Sequence, residues 1–450
     1  MAAFRVGIAT VDYTPRLGLP LMGNFRDDYA ARGIHDPLRA KAIVFEDPRG
    51  TKAALLAVDI CMLDRGNVAT MRQAIAATSG VPPQNVLIHA THTHSAPAPH
   101  ARFLFGLDFE PFRAAAEQFL VTAAAAVAAA ERDLHEARLA VGYSSEERLI
   151  FNRRLRRKDG ATQMNWEALA PGFDPAEVEA AWGPVDPRVA CLIVERRQRP
   201  VAAITNYGLH PAILAGDNWR YSADYPGCLA EALSRTQGDD FTSLFFNGCC
   251  GNVNHVDYRD PLQGRGYGMT QRVGYVLAAA VGQAINARRP LDVDRVAVSS
   301  EMVALPRIEI SEAEYRRCQQ VMDEARRQPL RGQVDGLPEA HFAGLRLAMY
   351  ENQHRPDRAE VLVIRVGDVA LVGLPGEVFC EIGMELRRCS PAPHTFVAGL
   401  SGDAIGYLPT QESFAQGGYE VTTGSTFYQP GAAERLGQSA VEQLRRLFAE

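Results

Sequence analysis

Three histidines, His89, His92 and His94, lie within six residues of one another in a chain of 450 residues that has only 11 histidines. The apolar residues 85–88 before them predict a short buried strand, and the Thr, Ser and Pro residues after them predict a turn. Side chains of an extended chain alternate between two faces, so His92 and His94 should project to the same side. Two imidazoles on one face at a strand end suit a divalent metal ion, a proton relay, or both.

Three later strand ends carry further candidate groups. His210 follows an apolar strand and precedes Pro211, which favours extended geometry at the histidine. Glu377 follows a Pro-Gly turn, and Tyr407 follows another short strand. Two histidines and a carboxylate are the usual protein ligands of a hydrolytic zinc ion, with a position left for water or substrate. Plainer alternatives stay open: His210 can be an ordinary loop histidine, and Glu377 can simply face a helix N-terminus.

The elements that must position these groups alternate between strand and helix in the first half of the chain, which favours an α/β fold. Long predicted strands at residues 295–305 and 360–367 indicate a mixed sheet with surrounding helices. Loops beyond strand ends commonly carry the chemistry of α/β proteins, in agreement with the positions of the candidate groups. Asp59 also ends a strand, where it can either orient a zinc-bound histidine or serve as a turn acid.

The domain organisation is expected to be simple. No internal repeat or low-complexity linker divides the sequence, so a single domain over residues 1–450 is predicted. Residues 311–353 are charged and interrupt the strand pattern, which predicts a helical insertion. This insertion can be a solvated helical hairpin or a lid over the site.

Composition narrows the class of protein. A content of 47% hydrophobic residues allows a large core, and a formal net charge of −6 argues against nucleic-acid binding. No segment has the unbroken apolar length of a membrane span, and the first residues enter a strand pattern at once, which predicts a cytoplasmic protein. The eight cysteines form no CxxC pair and are mostly expected to be small buried hydrophobes. A small-molecule substrate is the expected partner, and the oligomeric state is left open.

Four segments, in the same order along the chain, resemble the neutral/alkaline non-lysosomal ceramidase family. They are Thr91-His92-Thr93-His94-Ser95-Ala96-Pro97, residues 206–211, Leu374-Pro375-Gly376-Glu377, and Gly406-Tyr407 followed by Tyr419-Glu420. The likeness extends from Gly33-Ile34-His35-Asp36 to about Tyr428. It implies the α/β catalytic fold of that family and an enzyme that hydrolyses an amide bond with one zinc ion.

The resemblance also implies roles for individual residues. The ligands of one Zn²⁺ per chain would be His92, His210, Glu377 and Tyr407. His94 would face the substrate and stabilise its oxyanion, and Arg153, which belongs to an Asn-Arg element like that of the family, would be a second oxyanion contact. Tyr419 would line the same pocket. Cationic and neutral donors aimed at a developing oxyanion contribute strongly to catalysis in a water-poor pocket.

The chain also departs from the family pattern. Members of the family carry an immunoglobulin-like domain after the catalytic domain, and this chain is expected to lack it. The nucleophilic serine of the family corresponds here to Asn254, whose amide side chain cannot attack a carbonyl carbon. Asn254 and the adjacent His255 are therefore expected to bind the substrate, which is expected to differ from long-chain ceramide.

Without that serine, attack by a zinc-activated water is expected, with His94, His255 or Asp224 as the general base. Cys249 or Cys250 would be a rival nucleophile, although the sequence shows no activating base beside either thiol. Three hypotheses stay open: cleavage of an N-acyl amide, cleavage of another bond such as an ester, lactone or glycosidic linkage, and a non-catalytic relative that binds a metal or ligand.

Overall fold

The strands and helices alternate in a mixed α/β arrangement. A computed structural model describes residues 3–26, 28–99, 110–260, 263–327, 333–334 and 337–449. The strands up to residue 221 are β1 (Arg5–Asp12), β2 (Gly33–Ile34), β3 (Arg39–Glu46), β4 (Lys52–Val58), β5 (Val86–Ala90), β6 (His135–Glu136), β7 (Arg138–Ser145), β8 (Phe151–Asn152), β9 (Arg154–Arg157), β10 (Thr162–Met164), β11 (Val178–Ala181), β12 (Arg188–Arg196), β13 (Arg199–Tyr207) and β14 (Arg220–Tyr221). The later strands are β15 (Thr242–Asn247), β16 (Val253–Asn254), β17 (Arg289–Leu291), β18 (Val296–Leu305), β19 (Gln333–Val334), β20 (Leu337–Pro338), β21 (Asp357–Val366), β22 (Val369–Gly373), β23 (Glu377–Val378), β24 (His394–Ala398) and β25 (Tyr407–Leu408). The helices are α1 (Arg65–Thr78), α2 (Arg113–Arg132), α3 (Tyr225–Gln237), α4 (Tyr267–Asn286), α5 (Glu312–Arg327), α6 (Glu339–Asn352), α7 (Cys380–Cys389), α8 (Ser413–Gln416) and α9 (Ala432–Phe448).

Three sheets form the centre of the molecule. Their strand orders are β5-β4-β3-β1-β6, β15-β13-β12-β7-β17 and β18-β21-β22-β24. Each sheet contains one parallel pair, namely β4–β5, β13–β15 and β22–β24, among antiparallel neighbours. The predicted mixed α/β fold is therefore confirmed, with three mixed sheets in place of one.

The inner faces of the three sheets share one apolar core. Phe45 and Leu55 of the first sheet, Leu192 of the second and Ile364 of the third belong to the same buried cluster. Helices cover the outer faces: α2 packs on β1 and β3, α4 on β7 and β12, and α9 on β18 and β21. Strands covered on both faces are apolar throughout, and β22 (Val-Ala-Leu-Val-Gly) is buried at every position.

Helix α2 is long and apolar enough to cross a membrane by length and composition, and half of its apolar window is buried. It packs against α1, β1 and β3, and its buried face includes Phe119, Leu120 and Val127. A core helix passes the same test of length and composition. The apolar side of α2 is accounted for by its position in the core.

The predicted insertion at residues 311–353 is described in part, because residues 328–332 and 335–336 lie outside the described ranges. Its helices α5 and α6 pack against each other. Helix α6 borders the cavity described below through His341 and Leu345. Movement of the insertion as a lid, and the division of the chain into domains, stay predictions.

The three parallel pairs bring the candidate groups to one region. β5 leads into His92, β13 leads into His210, and β22 leads into Glu377. The short parallel pair of β23 and β25 sets Glu377 directly beside Tyr407. Residues that are far apart in sequence therefore meet beyond the carboxyl ends of strands from all three sheets, as expected for a site of an α/β protein.

Candidate active site

Two imidazoles and a carboxylate converge at the strand ends. The Nε2 atoms of His92 and His210 are 3.0 Å apart. The Oε2 atom of Glu377 lies 3.2 Å from Nε2 of His92 and 3.7 Å from Nε2 of His210. Ligand atoms around a tetrahedral zinc ion are roughly 3.3 Å apart, given zinc–nitrogen and zinc–oxygen bonds of about 2.0–2.2 Å. The three atoms therefore have the spacing of a metal site.

Both histidines are oriented through their other ring nitrogen. Nδ1 of His92 lies 2.6 Å from the carbonyl oxygen of Cys61, and Nδ1 of His210 lies 3.3 Å from that of Cys250. A proton on each Nδ1, donated to those carbonyls, leaves the Nε2 lone pairs facing Glu377. The Oε2 atom of Glu377 is buried and accepts no hydrogen bond within the described part of the chain. A cation bound between these three atoms would satisfy it, so the residues fit a divalent metal ion.

Asp59 does not have the orienting role that was one of its two predicted alternatives. Its carboxylate accepts hydrogen bonds from the backbone N–H of Arg39 and from the Thr91 hydroxyl. Asp59 therefore anchors Thr91, the residue before His92, and Arg39 at the start of β3. The His92 imidazole is oriented instead by the carbonyl oxygen of Cys61. A backbone acceptor of this kind has no signature in the sequence.

The backbone at His92 is unusual for a residue with a Cβ atom. Its φ angle is +77°, in the left-handed region that favours glycine. Such conformations cost about 1–3 kcal/mol and persist where the surrounding structure determines them. The N–H of His92 bonds the carbonyl oxygen of Ile60, and the N–H of Thr91 bonds that of Val58. The ends of β4 and β5 thus impose the turn that sends His92 toward His210.

The electrostatics of the cluster favour one positive charge. Burial opposes protonation of His92, but the adjacent Glu377 carboxylate outweighs it and raises the pKa of His92 to about 10. Burial and the charge on His92 lower the pKa values of His94 and His210 well below the usual range. Burial disfavours the Glu377 charge, yet His92 and Arg153 keep the pKa of Glu377 below its ordinary value. The Glu377 carboxylate is therefore ionised, and its negative charge stabilises a cation next to it.

Tyr407, the fourth predicted ligand, borders this cluster. Its phenol is close enough to Glu377 and Arg153 for both charges to influence it. Burial raises the pKa of Tyr407 well above that of a free phenol, and the guanidinium of Arg153 opposes that rise. The phenol is thus a neutral donor in the chain by itself. A bound cation would favour its phenolate, as it does for a coordinating thiol.

Arg153 lies behind Tyr407 and His210, and it is not among the residues that line the cavity described below. Its Nε donates to Glu420 over 2.7 Å, and its Nη1 lies 3.4 Å from Nδ1 of His210. The guanidinium carbon is 5.2 Å from the Trp166 ring and 5.1 Å from the Tyr407 ring. Its Nη2 is buried and has no hydrogen-bond acceptor among the described residues. One donor of Arg153 is therefore left without a partner next to the cluster of polar side chains.

Glu420 is the residue that fixes Arg153. Its carboxylate is fully buried and accepts from Nε of Arg153 and, over 2.8 Å, from Nη1 of Arg154. Arg154 is in turn anchored to the carbonyl oxygen of Gly417 over 2.7 Å. Glu420 is part of the segment that resembles the ceramidase family, but the sequence assigned it no role. Two features of the sequence could have indicated a role for Glu420: its position next to Tyr419, and the adjacent pair Arg153-Arg154, which needs a buried acid.

One cavity opens onto these groups. His92, His94, Glu377, Tyr407 and Tyr419 line it. The ring of Tyr419 lies 5.4 Å from that of Tyr407, in an edge-to-face arrangement. Much of the remaining wall is apolar, and includes Met22, Phe25, Tyr29, Met62, Leu345 and Phe427. The cavity can therefore hold an apolar group next to the cluster of polar atoms.

His94 is placed by close packing with a glycine. Its Nε2 lies 3.4 Å from Nε2 of His92, so the imidazole faces the site. A Cβ atom at Gly23 would overlap the His94 ring, and Gly23 has a φ angle of +107°. Residue 23 must therefore be glycine for the imidazole to occupy this position. No feature of the sequence links Gly23 to His94, 71 residues later in the chain.

Asn254 and His255 do not line this cavity, although both were predicted to bind substrate. The side-chain amide of Asn254 pairs reciprocally with that of Asn165, with both N–O distances at 2.7 Å. His255 is buried, and burial lowers its pKa to about 4. The structure thus places both residues in the packing behind the site, and their binding role stays a prediction.

Two of the alternatives for the chemistry are disfavoured by the structure. The Asp224 carboxylate is fully buried and accepts the backbone N–H groups of Ile213, Leu214 and Tyr225, so it braces the loop after His210. It does not face the cavity as a general base. Of the three candidate bases, only His94 lines the cavity.

The thiols of Cys249 and Cys250 have no activating base. Burial raises the pKa of Cys249 to about 12, and burial also raises that of Cys250 far above the usual range. Cys249→Ser and Cys250→Ser are therefore expected to retain kcat/KM within about threefold, because a buried thiol at these pKa values is not a nucleophile at neutral pH. Steady-state kinetics of each variant checks this. A loss of a hundredfold or more in either one would restore the thiol mechanism.

The sequence has relatives among known proteins. Residues 4–257 match the family described as "Neutral/alkaline non-lysosomal ceramidase, N-terminal". The chain is 25% identical to a neutral ceramidase of Mycobacterium tuberculosis over 91% of its own length and 71% of that protein. It is 26% identical to neutral ceramidase B of Dictyostelium discoideum over 50% of its own length, where the match covers 31% of that protein.

The fold has a counterpart among solved structures. The chain superposes on the crystal structure of neutral ceramidase from Pseudomonas aeruginosa with a TM-score of 0.75, at 19% identity, over 99% of this chain and 75% of that one. This match shows the shared fold. The family match covers more than half of the chain. The protein therefore belongs to the neutral/alkaline non-lysosomal ceramidase family, a family of hydrolases.

Proposed function

We propose that the protein is a zinc-dependent hydrolase that cleaves an N-acyl amide bond with an activated water, and that its substrate is an amide other than long-chain ceramide. The observation that carries this proposal is the set of Nε2 atoms of His92 and His210 facing the unbonded Oε2 of Glu377, in a chain of the ceramidase family. His92, His210, Glu377 and Tyr407 would hold the ion. A zinc ion bound there would polarise a carbonyl group and lower the pKa of water.

Residues next to the metal ligands would stabilise the charge that develops during the reaction. Arg153 offers its unpaired Nη2 to the oxygen that gains charge as the carbonyl is attacked. The Glu420 carboxylate and the Trp166 ring hold the guanidinium, so it does not have to reorganise during the reaction. Donors that are fixed in advance in a water-poor site stabilise an oxyanion most effectively.

His94 is the candidate that moves the proton. Burial and neighbouring positive charge hold its pKa well below the usual range, so it is neutral and can accept a proton from water. After that transfer, its imidazolium could return the proton to the leaving nitrogen. Tyr419, in contact with the Tyr407 ring, would complete the wall on which the amide rests.

Two features indicate the substrate class: the apolar wall of the cavity, and Asn254. The apolar wall formed by Met22, Phe25, Met62 and Phe427 suits an acyl chain. Asn254 stands where the family has its serine nucleophile, and its amide is engaged with Asn165. A change at this position supports a different nucleophile and a different amide substrate from that of the named ceramidases.

The proposal is tested with a substrate panel and a chelator. N-acyl amides of short and long chains, matched esters and aryl glycosides would be assayed with native protein, with chelated protein, and after zinc is returned. We expect amide hydrolysis that chelation abolishes and about one equivalent of zinc restores. Elemental analysis of native protein should find about one zinc per chain.

Each of the other results has a definite meaning. Turnover of esters or glycosides but not of amides would show that the enzyme cleaves a different bond, and the metal assignment would stand. Full activity after exhaustive chelation, with no zinc in the native protein, would overturn the metal assignment. Zinc without turnover of any substrate would favour a non-catalytic binding protein.

A further inference from the structure

Cys61 faces the candidate site, and its thiol has no part in the proposed reaction. Its side chain lines the same cavity as His92 and His94. It packs in a small apolar cluster with Met22 and Tyr29. Only the backbone carbonyl of Cys61 is used, as the acceptor for Nδ1 of His92. The thiol is therefore a soft potential ligand within a polar cluster.

The spacing around the thiol is that of a second metal position. The Sγ atom of Cys61 lies 3.8 Å from Nδ1 of His92. Sulfur and nitrogen ligands of one tetrahedral ion lie about 3.6 Å apart, from bonds of about 2.3 Å and 2.0 Å. Potential ligand atoms of Cys61, His92 and His94 all lie within 4.8 Å of one another.

His94 supplies the independent observation that points to a ligand. It is only 9% exposed, and its Nδ1 is buried without a hydrogen-bond partner in the described ranges. A buried nitrogen that makes no hydrogen bond costs free energy, and a bound cation would remove that cost. Cys61 and His94 thus each bring a potential ligand atom into the same small volume as His92.

We propose that Cys61, His94 and Nδ1 of His92 form a second position for a thiophilic divalent cation such as Cd²⁺, overlapping the candidate zinc site and inhibitory when filled. Thiolate ligands select soft metal ions over hard ones. As the metal–sulfur bond forms, the thiol proton leaves to water. The proton that Nδ1 of His92 donates to the Cys61 carbonyl leaves as Nδ1 binds the ion, and Nε2, no longer bound to zinc, takes up a proton instead. No oxidant or reductant is needed. The position goes beyond the proposed function because it requires no substrate and no catalysis.

The two positions exclude each other because they share His92. A neutral imidazole carries a proton on one nitrogen and a lone pair on the other, so His92 can bind one ion at a time. The candidate zinc site uses Nε2 of His92, and the second position uses Nδ1. An ion bound to Cys61 therefore draws His92 away from His210 and Glu377, and it should release zinc.

Titration of the zinc-loaded protein with Cd²⁺ tests this directly. In the wild type we expect thiolate-to-cadmium charge-transfer absorbance in the ultraviolet, release of about one zinc per chain, and loss of activity in parallel. In Cys61→Ser the absorbance should be lost, and the half-inhibitory Cd²⁺ concentration, measured against the variant's own uninhibited rate, should rise at least tenfold. The backbone carbonyl that orients His92 is unchanged in this variant.

A matched control uses another cysteine. Cys389 is the only one of the eight cysteines that is not buried, so it is the thiol best placed to bind Cd²⁺ nonspecifically. Cys389→Ser should titrate like the wild type. Circular dichroism would confirm that Cys61→Ser is folded, and Cys61→Ala would replace it if it is not.

Two results would overturn the proposal. One is a Cys61→Ser protein with the wild-type absorbance and sensitivity to Cd²⁺. The other is a wild-type protein that keeps its full zinc content as Cd²⁺ fills the thiolate position, which would refute the sharing of His92. If the native protein proves to hold no zinc, the absorbance of metal-free protein with Cd²⁺ still tests the position at Cys61, so the two proposals fail separately.

Discussion

His210→Ala should leave the protein without its metal ion and reduce amide hydrolysis by at least a thousandfold. Nε2 of His210 lies 3.0 Å from that of His92, so its loss removes one side of the cluster. A zinc site that loses a histidine keeps too few strong ligands for tight binding. Metal content after dialysis and kcat/KM, measured on the same sample, check both parts of this result.

The control separates loss of metal from loss of fold. His135→Ala removes an exposed histidine and should keep both zinc and activity. Chelated wild-type protein is the reference for stability, because His210→Ala should melt close to it. A His210→Ala protein that retains one zinc per chain and measurable turnover would show that the metal is held elsewhere.

Arg153→Lys should keep the metal and lose about 10²–10³ in kcat/KM, the range found when one oxyanion donor is removed. Lysine preserves the positive charge but lacks the planar fork that bonds Glu420 through Nε and leaves Nη2 free for a bound molecule. Most of the loss should fall on kcat, because the interaction strengthens as the oxyanion forms. Steady-state kinetics and metal analysis of the same preparation separate the two effects.

Arg156→Lys is the matched control. Arg156 lies on the same strand, β9, as Arg154 and pairs with Glu179 at the surface. Its replacement should alter neither metal content nor kcat/KM. Wild-type kinetics in Arg153→Lys would remove Arg153 from the reaction, and loss of zinc in that variant would assign it to support of His210 instead.

Much of the fold and the meeting point of the site could be predicted from the sequence. Apolar strands that are buried on both faces have a strong sequence signal, and parallel strands end on the same edge of a sheet. Strand ends therefore indicated two histidines and a carboxylate as a site, and the resemblance to the ceramidase family implied that His92, His210, Glu377 and Tyr407 form it together. Helix α9 has an equally strong signal, because its apolar and polar residues recur with a helical period.

The parts that could not be predicted depend on contacts between distant residues. Asn254 pairs with Asn165, 89 residues earlier in the chain. The Asn254 amide, which was predicted to bind substrate, is therefore engaged with another side chain and does not line the cavity. The carbonyl oxygen of Cys61 does what the Asp59 carboxylate was a candidate to do. Both outcomes depend on backbone and amide groups, which every residue or many residues carry, so no residue type reveals them.

The convergence of three sheets on one site also has a consequence for how the protein matures. His92 and His210 are separated by 118 residues. Glu377 and Tyr407 come still later in the chain, where Glu377 follows the third sheet and pairs with Tyr407 in a short two-stranded sheet. During synthesis the ligand set is incomplete until nearly the whole chain has emerged, and closing such long loops is slow. Filling of the candidate zinc site would therefore be a late event that follows completed assembly.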